Sequence, residues 1–208
     1  ELYFVNEGLK VPKYGQPELV EAETSFTAYQ EFQSMLTRDR IDIFMVGEFD
    51  DYQVLQALHR FPLEGRQVDL QFSYSQPYVN VVKEKIEPRQ SSQSILQLGY
   101  QFPYQYGDKD YFALIVFNAM FGEFAHSALF TTLREKEGLA YSISSQFDIF
   151  TGLLEVYAGI ERSNRNQAMR GISRELNYIK LGRFSSSLLN QTKKIIRMNA
   201  LLSEDHAL

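Results

Sequence analysis

The spacing of apolar positions in the first part of the chain changes from helical to strand-like. Apolar residues three and four positions apart predict a helix within residues 18–37, and Thr24 is well placed to cap its N-terminus. Residues 40–49 then have the pattern of a strand that is apolar on both faces. Asp50 follows and is positioned to cap a short second helix. We therefore predict a helix–strand–helix arrangement within residues 1–62.

The later part of the chain predicts strands and helices in blocks. A half-buried strand is expected at residues 94–102, and Thr151-Gly152 is a hairpin signal between two further strands. Ser203 is predicted to cap a helix that follows the long ones. The other predicted elements are helices at 109–121, 127–136, 163–181 and 185–202 and the hairpin strands at 140–150 and 153–161. Blocks of strands and helices, rather than strict alternation, indicate an α+β fold.

A stretch with little periodicity separates the two patterns. Residues 61–77 contain two prolines and one glycine, so we place a linker at residues 63–77, between a first segment at 1–62 and a second at 78–208. The chain begins with Glu1 rather than methionine, and its last helix signal is cut short. We therefore expect a fragment of a longer protein, with the second segment truncated at its C-terminus.

Composition excludes several classes of function. The 21 Lys and Arg against 26 Asp and Glu give a net charge of -5, which offers no electrostatic basis for binding nucleic acid or an anionic membrane. The most apolar stretch, residues 111–121, is too short to cross a bilayer. There is no cysteine and no secretory signal pattern, so we expect a cytoplasmic protein without disulfides or thiolate metal sites.

Candidate metal and nucleophile motifs are missing from the sequence. The three histidines are His59, His126 and His206, and neither H-E-x-x-H nor its inverse H-x-x-E-H occurs. No G-x-S-x-G motif is present, and the serine pairs and triplets are typical of loops and caps. We therefore predict no metal ligand and no catalytic residue in this chain.

Residues 121–145 stand out chemically. Arg134 falls near a predicted helix end and Tyr141 at the start of a strand, across a short turn that contains Gly138. A guanidinium and a phenol that point the same way could together hold a peptide carbonyl or a developing oxyanion. The alternative is structural: Arg134 would pair with Glu135 or Glu137 while Tyr141 packs in the sheet. The residues by themselves leave both interpretations open, and the structural one is the commoner.

The same segment resembles a signature of the pitrilysin family of inverted-motif zinc peptidases, which includes insulin-degrading enzyme and the mitochondrial processing peptidase. Glu123 departs from that signature, because a second glycine usually follows Gly122. The strands before and after the segment, the pair of long helices and residues 42–50 fit the family more loosely and in the right order. The matching positions are Gly122, Ser127, Leu129-Phe130, Arg134-Glu135, Gly138-Leu139-Ala140-Tyr141 and Ser144 or Ser145.

The resemblance implies a fold and a division of labour. Family members consist of two similar α+β halves that enclose a chamber, one of which supplies zinc through H-x-x-E-H. The other half supplies an arginine and a tyrosine, seven residues apart like Arg134 and Tyr141, that contact the substrate backbone. The fold expected is a processing-peptidase half-unit with an antiparallel-rich mixed sheet and helices packed on one face. Residues 1–62 would then be the tail of the first half, and residues 78–208 most of the second.

Three functions remain open. The first is the substrate-binding half of a zinc peptidase, which positions a peptide carbonyl, is inactive alone and depends on a partner half or subunit that carries H-x-x-E-H and the zinc. The second is a catalytically inactive peptide-binding or scaffold subunit of the same fold. The third is an unrelated binding domain that carries the segment by chance.

Overall fold

The computed structural model describes residues 14–61 and 80–204. These residues belong to two compact units, residues 14–61 in the first and 80–204 in the second. The predicted linker at 63–77 and His206 lie outside the described residues.

Three helices form in the described residues of the first unit, and the caps of two of them follow the sequence signals. Thr24 caps the second helix through a reciprocal bond pair with Thr27, the capping-box arrangement. Asp50 caps the third by accepting hydrogen bonds from the backbone N–H groups of Tyr52 and Gln53, at 2.9 and 3.1 Å. Both predicted caps are confirmed. The helices are α1 (Pro17–Ala22), α2 (Ser25–Arg38) and α3 (Asp51–Leu58).

The strand predicted at residues 40–49 is wrong for this chain. No strand forms there, and Phe44 and Val46 are 84% and 72% exposed. A strand requires a neighbour that pairs with its N–H and C=O groups, and none of the described residues supplies one. The apolar pattern predicts a central strand correctly only where such neighbours exist.

In the described part of the second unit, three antiparallel strands form a sheet: β1 (Ser94–Gln101), β2 (Ala140–Asp148) and β3 (Leu153–Ile160). Their order in the sheet is β1-β3-β2, so β3 is central. The predicted hairpin is confirmed, with Gly152 at φ 65° in its turn. One face is apolar and buried, with Leu96, Val156 and Ile143 among its residues. On the other face, Glu155 accepts hydrogen bonds from glutamine side chains of both neighbouring strands.

The helices of the second unit pack on the apolar face of the sheet. Their buried residues join those of the strands in a single core that includes Met120, Phe121, Leu133 and Ile172. The fold is therefore α+β, as predicted. The helices are α4 (Tyr111–Asn118), its π-helical continuation π1 (Ala119–Glu123), a second π-helix π2 (Phe130–Lys136), α5 (Arg165–Lys180) and α6 (Ser186–Glu204).

The end of α6 corrects one detail. Ser203 was predicted to cap a further helix, but α6 continues to Glu204. The Ser203 hydroxyl donates to the Ala200 carbonyl instead, at 2.7 Å, which is a bond that serine readily makes inside a helix. Among the described helices, none combines the length and apolar character that a membrane crossing needs.

Candidate functional site

Arg134 lies near the end of π2 with its side chain at the surface. Its guanidinium stacks over the ring of Phe130, one helical turn earlier, with 4.5 Å between the guanidinium carbon and the ring centroid. Gly138 follows the C-terminal end of π2, and its φ of 62° allows the Leu139 N–H to bond back to the Leu133 carbonyl at 2.8 Å.

The carboxylates closest in sequence do not pair with Arg134. Glu137 pairs with Arg174 of α5, whose guanidinium lies 2.6 Å from Glu137 Oε1. Within residues 14–61 and 80–204, Arg134 makes no ion pair. The local pairing considered from the sequence is therefore not found in the described chain.

Tyr141 occupies a β-bulge. Ala140 pairs with Ile160 and Ser142 with Gly159, so Tyr141 is the additional residue on β2 at that point. A bulge locally turns a strand and redirects its side chains, and bulges are frequent beside functional sites. Tyr141 is 57% exposed, so its side chain is not buried within the sheet.

The Tyr141 hydroxyl is already engaged by a carboxylate. It donates a hydrogen bond of 2.7 Å to Oε1 of Glu161, the residue that follows β3. This hydrogen bond to Glu161 is the main reason that the pKa of Tyr141 is raised above its ordinary value of about 10. In this state the phenol oxygen can accept a hydrogen bond from a ligand, and it can donate one only after leaving Glu161.

Helix π1 is held against β2 by close packing and a buried polar contact. Gly122 packs so closely on β2 that a Cβ there would lie 2.8 Å from the Ser145 backbone nitrogen. Asn118 is buried beside it; its side-chain oxygen accepts from the Ser145 hydroxyl at 2.8 Å, and its amide nitrogen donates to Glu123 at 2.9 Å. Neither Asn118 nor Glu161 was predicted from the sequence as a functional residue. Asn118 had a signal, a lone amide in a run of apolar residues, whereas Glu161 had none.

Comparison with known proteins now decides the family. The family described as Peptidase M16 inactive domain matches residues 28–196. This chain belongs to that family. The resemblance to the C-terminal half of pitrilysin-type peptidases is confirmed, and the chain is a peptidase-like, non-catalytic half-unit.

Two relatives of the M16 inactive domain come from Bacillus subtilis (strain 168). "Probable inactive metalloprotease YmfF" is 37% identical over 194 residues, which are 93% of this chain and 46% of that protein. "Uncharacterized zinc protease YmxG" is 25% identical over 203 residues, 95% of this chain and 48% of that protein. The chain thus spans about half the length of the curated relatives it matches.

Solved structures agree on the fold. A conserved protein from Enterococcus faecalis V583 superposes with a TM-score of 0.89 at 38% identity, over 97% of this chain and 48% of that one. A protease from Helicobacter pylori superposes with a TM-score of 0.70 over 93% of this chain and 48% of that one. At 17% identity, the second comparison shows the fold alone.

The described residues of this M16 inactive domain do not fit a zinc site. No group of three or more His, Cys, Asp or Glu side chains is placed to hold a metal in the part of the chain that the structure describes. His126 bonds through Nε2 to the Thr192 hydroxyl at 2.8 Å and stacks on Phe124, and burial lowers its pKa. The description of the family as an inactive domain supports the prediction that this half carries no metal.

Proposed function

We propose that this chain is the peptide-binding half of a zinc-peptidase-like protein, in which Arg134 and Tyr141 hold the main chain of a bound peptide. The observation that carries the proposal is the state of these two side chains. Both are at the surface, one with no carboxylate partner among the described residues and the other redirected by a bulge. Zinc and the H-x-x-E-H motif would belong to a partner half or subunit.

The chemistry of the pair suits a peptide backbone. Each peptide unit offers one N–H donor and one C=O acceptor. Arg134 presents only donors and therefore suits the carbonyl. Tyr141, whose hydrogen is held by Glu161, presents an acceptor that suits an amide N–H. In the assembled protein, release of Glu161 would let Tyr141 donate to the same carbonyl and position it for hydrolysis.

A second candidate is a catalytically inactive peptide-binding or scaffold subunit. The name of the relative at 37% identity, "Probable inactive metalloprotease YmfF", favours it. The name of the relative at 25% identity, "Uncharacterized zinc protease YmxG", favours an active parent protein. The two candidates share the binding step and differ only in whether hydrolysis follows.

The test compares Arg134→Ala with Arg170→Ala in the natural protein at its full length. Arg170 is an exposed arginine of α5 and serves as the matched control. Binding of fluorescein-labelled casein peptides is measured by anisotropy, and cleavage by release of fluorescence at equal zinc content. We expect Arg134→Ala to weaken binding by roughly 10-fold or more, since a hydrogen bond from a charged group contributes about 1.5–3 kcal/mol. Any cleavage should fall by about 10²–10³-fold, and Arg170→Ala should match the parent.

Three outcomes are informative. Binding and cleavage that both survive Arg134→Ala contradict the proposal. Weakened binding in a protein that never cleaves supports the inactive candidate. Weakened binding together with lost cleavage supports the peptidase half.

A further inference from the structure

Strand β2 lies at the side of the sheet that the described strands form. The order β1-β3-β2 places β2 at one side of the sheet, and no other described strand pairs with its outer edge. On such an edge every second residue directs its N–H and C=O groups away from the sheet, which makes the edge a template for another extended segment.

A polar groove of about 400 Å³ follows this edge. Four consecutive residues of β2 line it, although successive residues of a strand point to opposite faces. The groove therefore runs along the edge of the strand rather than across one face of the sheet. The lining residues are Asn118, Glu123, Ser144, Ser145, Gln146 and Phe147.

Glu123 brings a fixed negative charge to the groove. Asn118, only 3% exposed, holds Glu123 Oε2 at 2.9 Å and is itself held by Ser145 of β2 at 2.8 Å. These two bonds connect the Glu123 carboxylate, through Asn118, to Ser145 of β2. The second oxygen, Oε1, has no hydrogen bond in residues 14–61 and 80–204, and no lysine or arginine there pairs with Glu123.

The charge is therefore available to a ligand. A carboxylate that is oriented and lacks a cation forms its strongest hydrogen bonds with an ammonium or a guanidinium. Backbone pairing along β2 would give affinity for any extended segment. Glu123 would add a preference for segments that carry a lysine or an arginine beside it.

We propose that β2 binds an extended peptide segment as an added strand and that Glu123 pairs with a lysine or arginine of that segment. This inference rests on the proposed function, since it names the class of peptide that the same half binds. It assigns to Glu123 the role of a specificity-determining residue.

The test uses two fluorescent peptides that differ at one central position, lysine in one and norleucine in the other. Their dissociation constants are measured with the full-length protein and with its Glu123→Gln variant. We expect the protein to prefer the lysine peptide by about ten-fold. The variant should lose that preference and keep the affinity for the norleucine peptide, because glutamine still accepts the bond from Asn118.

Two further arms separate the alternatives. Glu123→Lys should reverse the selection, so that a peptide with glutamate at the central position binds more tightly than the lysine peptide. Methylation of alternate backbone amides in the lysine peptide should abolish binding, because an added strand needs those N–H groups. A lysine preference that persists in Glu123→Gln, or full binding of the methylated peptide, overturns the inference.

The inference and the proposed function can fail separately. Arg134→Ala should weaken both peptides by the same factor and leave the lysine preference intact. If Arg134→Ala leaves both dissociation constants unchanged while Glu123→Gln removes the lysine preference, the role proposed for Arg134 is wrong. The role proposed for β2 and Glu123 is then supported. If Arg134→Ala weakens the binding of both peptides and the parent protein prefers neither, the role proposed for Glu123 is wrong. The proposed function of Arg134 is then supported.

Discussion

The contact between Tyr141 and Glu161 joins the start of β2 to the residue after β3. Its geometry, with 2.7 Å between the phenol oxygen and the carboxylate oxygen, makes Tyr141 the donor. A negative charge beside the phenol opposes the loss of its proton, which is why the pKa of Tyr141 is raised. The stabilisation that this provides is present at pH values below about 10 and is lost as the pH rises through the raised folded-state pKa.

Replacement of that carboxylate should be visible in the titration of a single tyrosine. In Glu161→Gln, we expect the pKa of Tyr141 to fall towards its ordinary value of about 10, because a neutral acceptor no longer disfavours the phenolate. The measurement is an NMR titration of protein carrying ¹³C at the tyrosine Cζ. Glu155→Gln is the matched control, since Glu155 lies on β3 and is bonded to Gln97 and Gln146. An unchanged Tyr141 pKa in Glu161→Gln would show that the contact does not form in solution.

Between elements, π1 packs tightly against β2 at Gly122. A Cβ at position 122 would lie 2.6 Å from the Ser145 hydroxyl oxygen, 2.8 Å from the Ser145 backbone nitrogen and 2.9 Å from a methyl group of Leu129. The backbone atom belongs to a paired strand and cannot move away as a flexible side chain could. Glycine at this position is thus a requirement of helix–sheet packing.

Gly122→Ala should therefore destabilise the protein by about 1–3 kcal/mol, the usual effect of overpacking a dense core. Urea unfolding followed by circular dichroism gives the free energy of unfolding. Gly138→Asn is the control, because Gly138 has open space around it and asparagine tolerates the left-handed backbone that its φ of 62° requires. The expected order is a larger loss for Gly122→Ala than for Gly138→Asn. The reverse order would mean that π1 can shift away from β2.

Elements also differ in how well their sequences predict them. Helix ends depend on neighbours a few residues away, so Thr24 and Asp50 could be recognised as caps from the sequence. The strand predicted at 40–49 failed because its existence depends on a pairing partner, which none of the described residues provides. Pattern alone reports that a segment could be a central strand, and it does not report what lies beside it.

At the scale of the whole molecule, the two units are unequal in burial. Helices α2 and α3 of the first unit have no buried residue, whereas α5 of the second has five. Central strand β3 is buried along most of its length. Burial of apolar area is the dominant stabilising contribution to folding. We therefore expect the described residues of the second unit to contribute the larger part of the free energy of unfolding.

Hydrogen exchange of the 208-residue chain should show this inequality directly. We expect amides of β3 to exchange most slowly, amides of α5 to be protected, and amides of α2 and α3 to exchange within the shortest labelling times. Mass spectrometry after proteolysis resolves these segments. Helix α5 is the internal control, because it is an α-helix of similar length to α2 but contains buried residues. Equal protection of the amides of α2 and α5 would contradict the expectation that the second unit is the more stable of the two.

The family and the α+β class were readable from the sequence, because both depend on short signals. The run from Gly122 to Tyr141 carries the family resemblance, and local spacing carries the helices, the hairpin and the caps. The same signals brought Arg134 and Tyr141 forward as candidates, and their role as a peptide-binding pair stays a prediction.

Tertiary structure decided which residues surround those candidates. β1 pairs with β3, fifty or more residues away, rather than with β2, and the bulge at Tyr141 appears only in the register of β2 on β3. Glu161 reaches Tyr141, and Asn118 holds Glu123 against β2, through contacts between separate elements. Such contacts depend on how elements pack, which nearest-neighbour preferences along the chain do not encode. For this reason the sequence named the arginine and the tyrosine, and the fold supplied their environment.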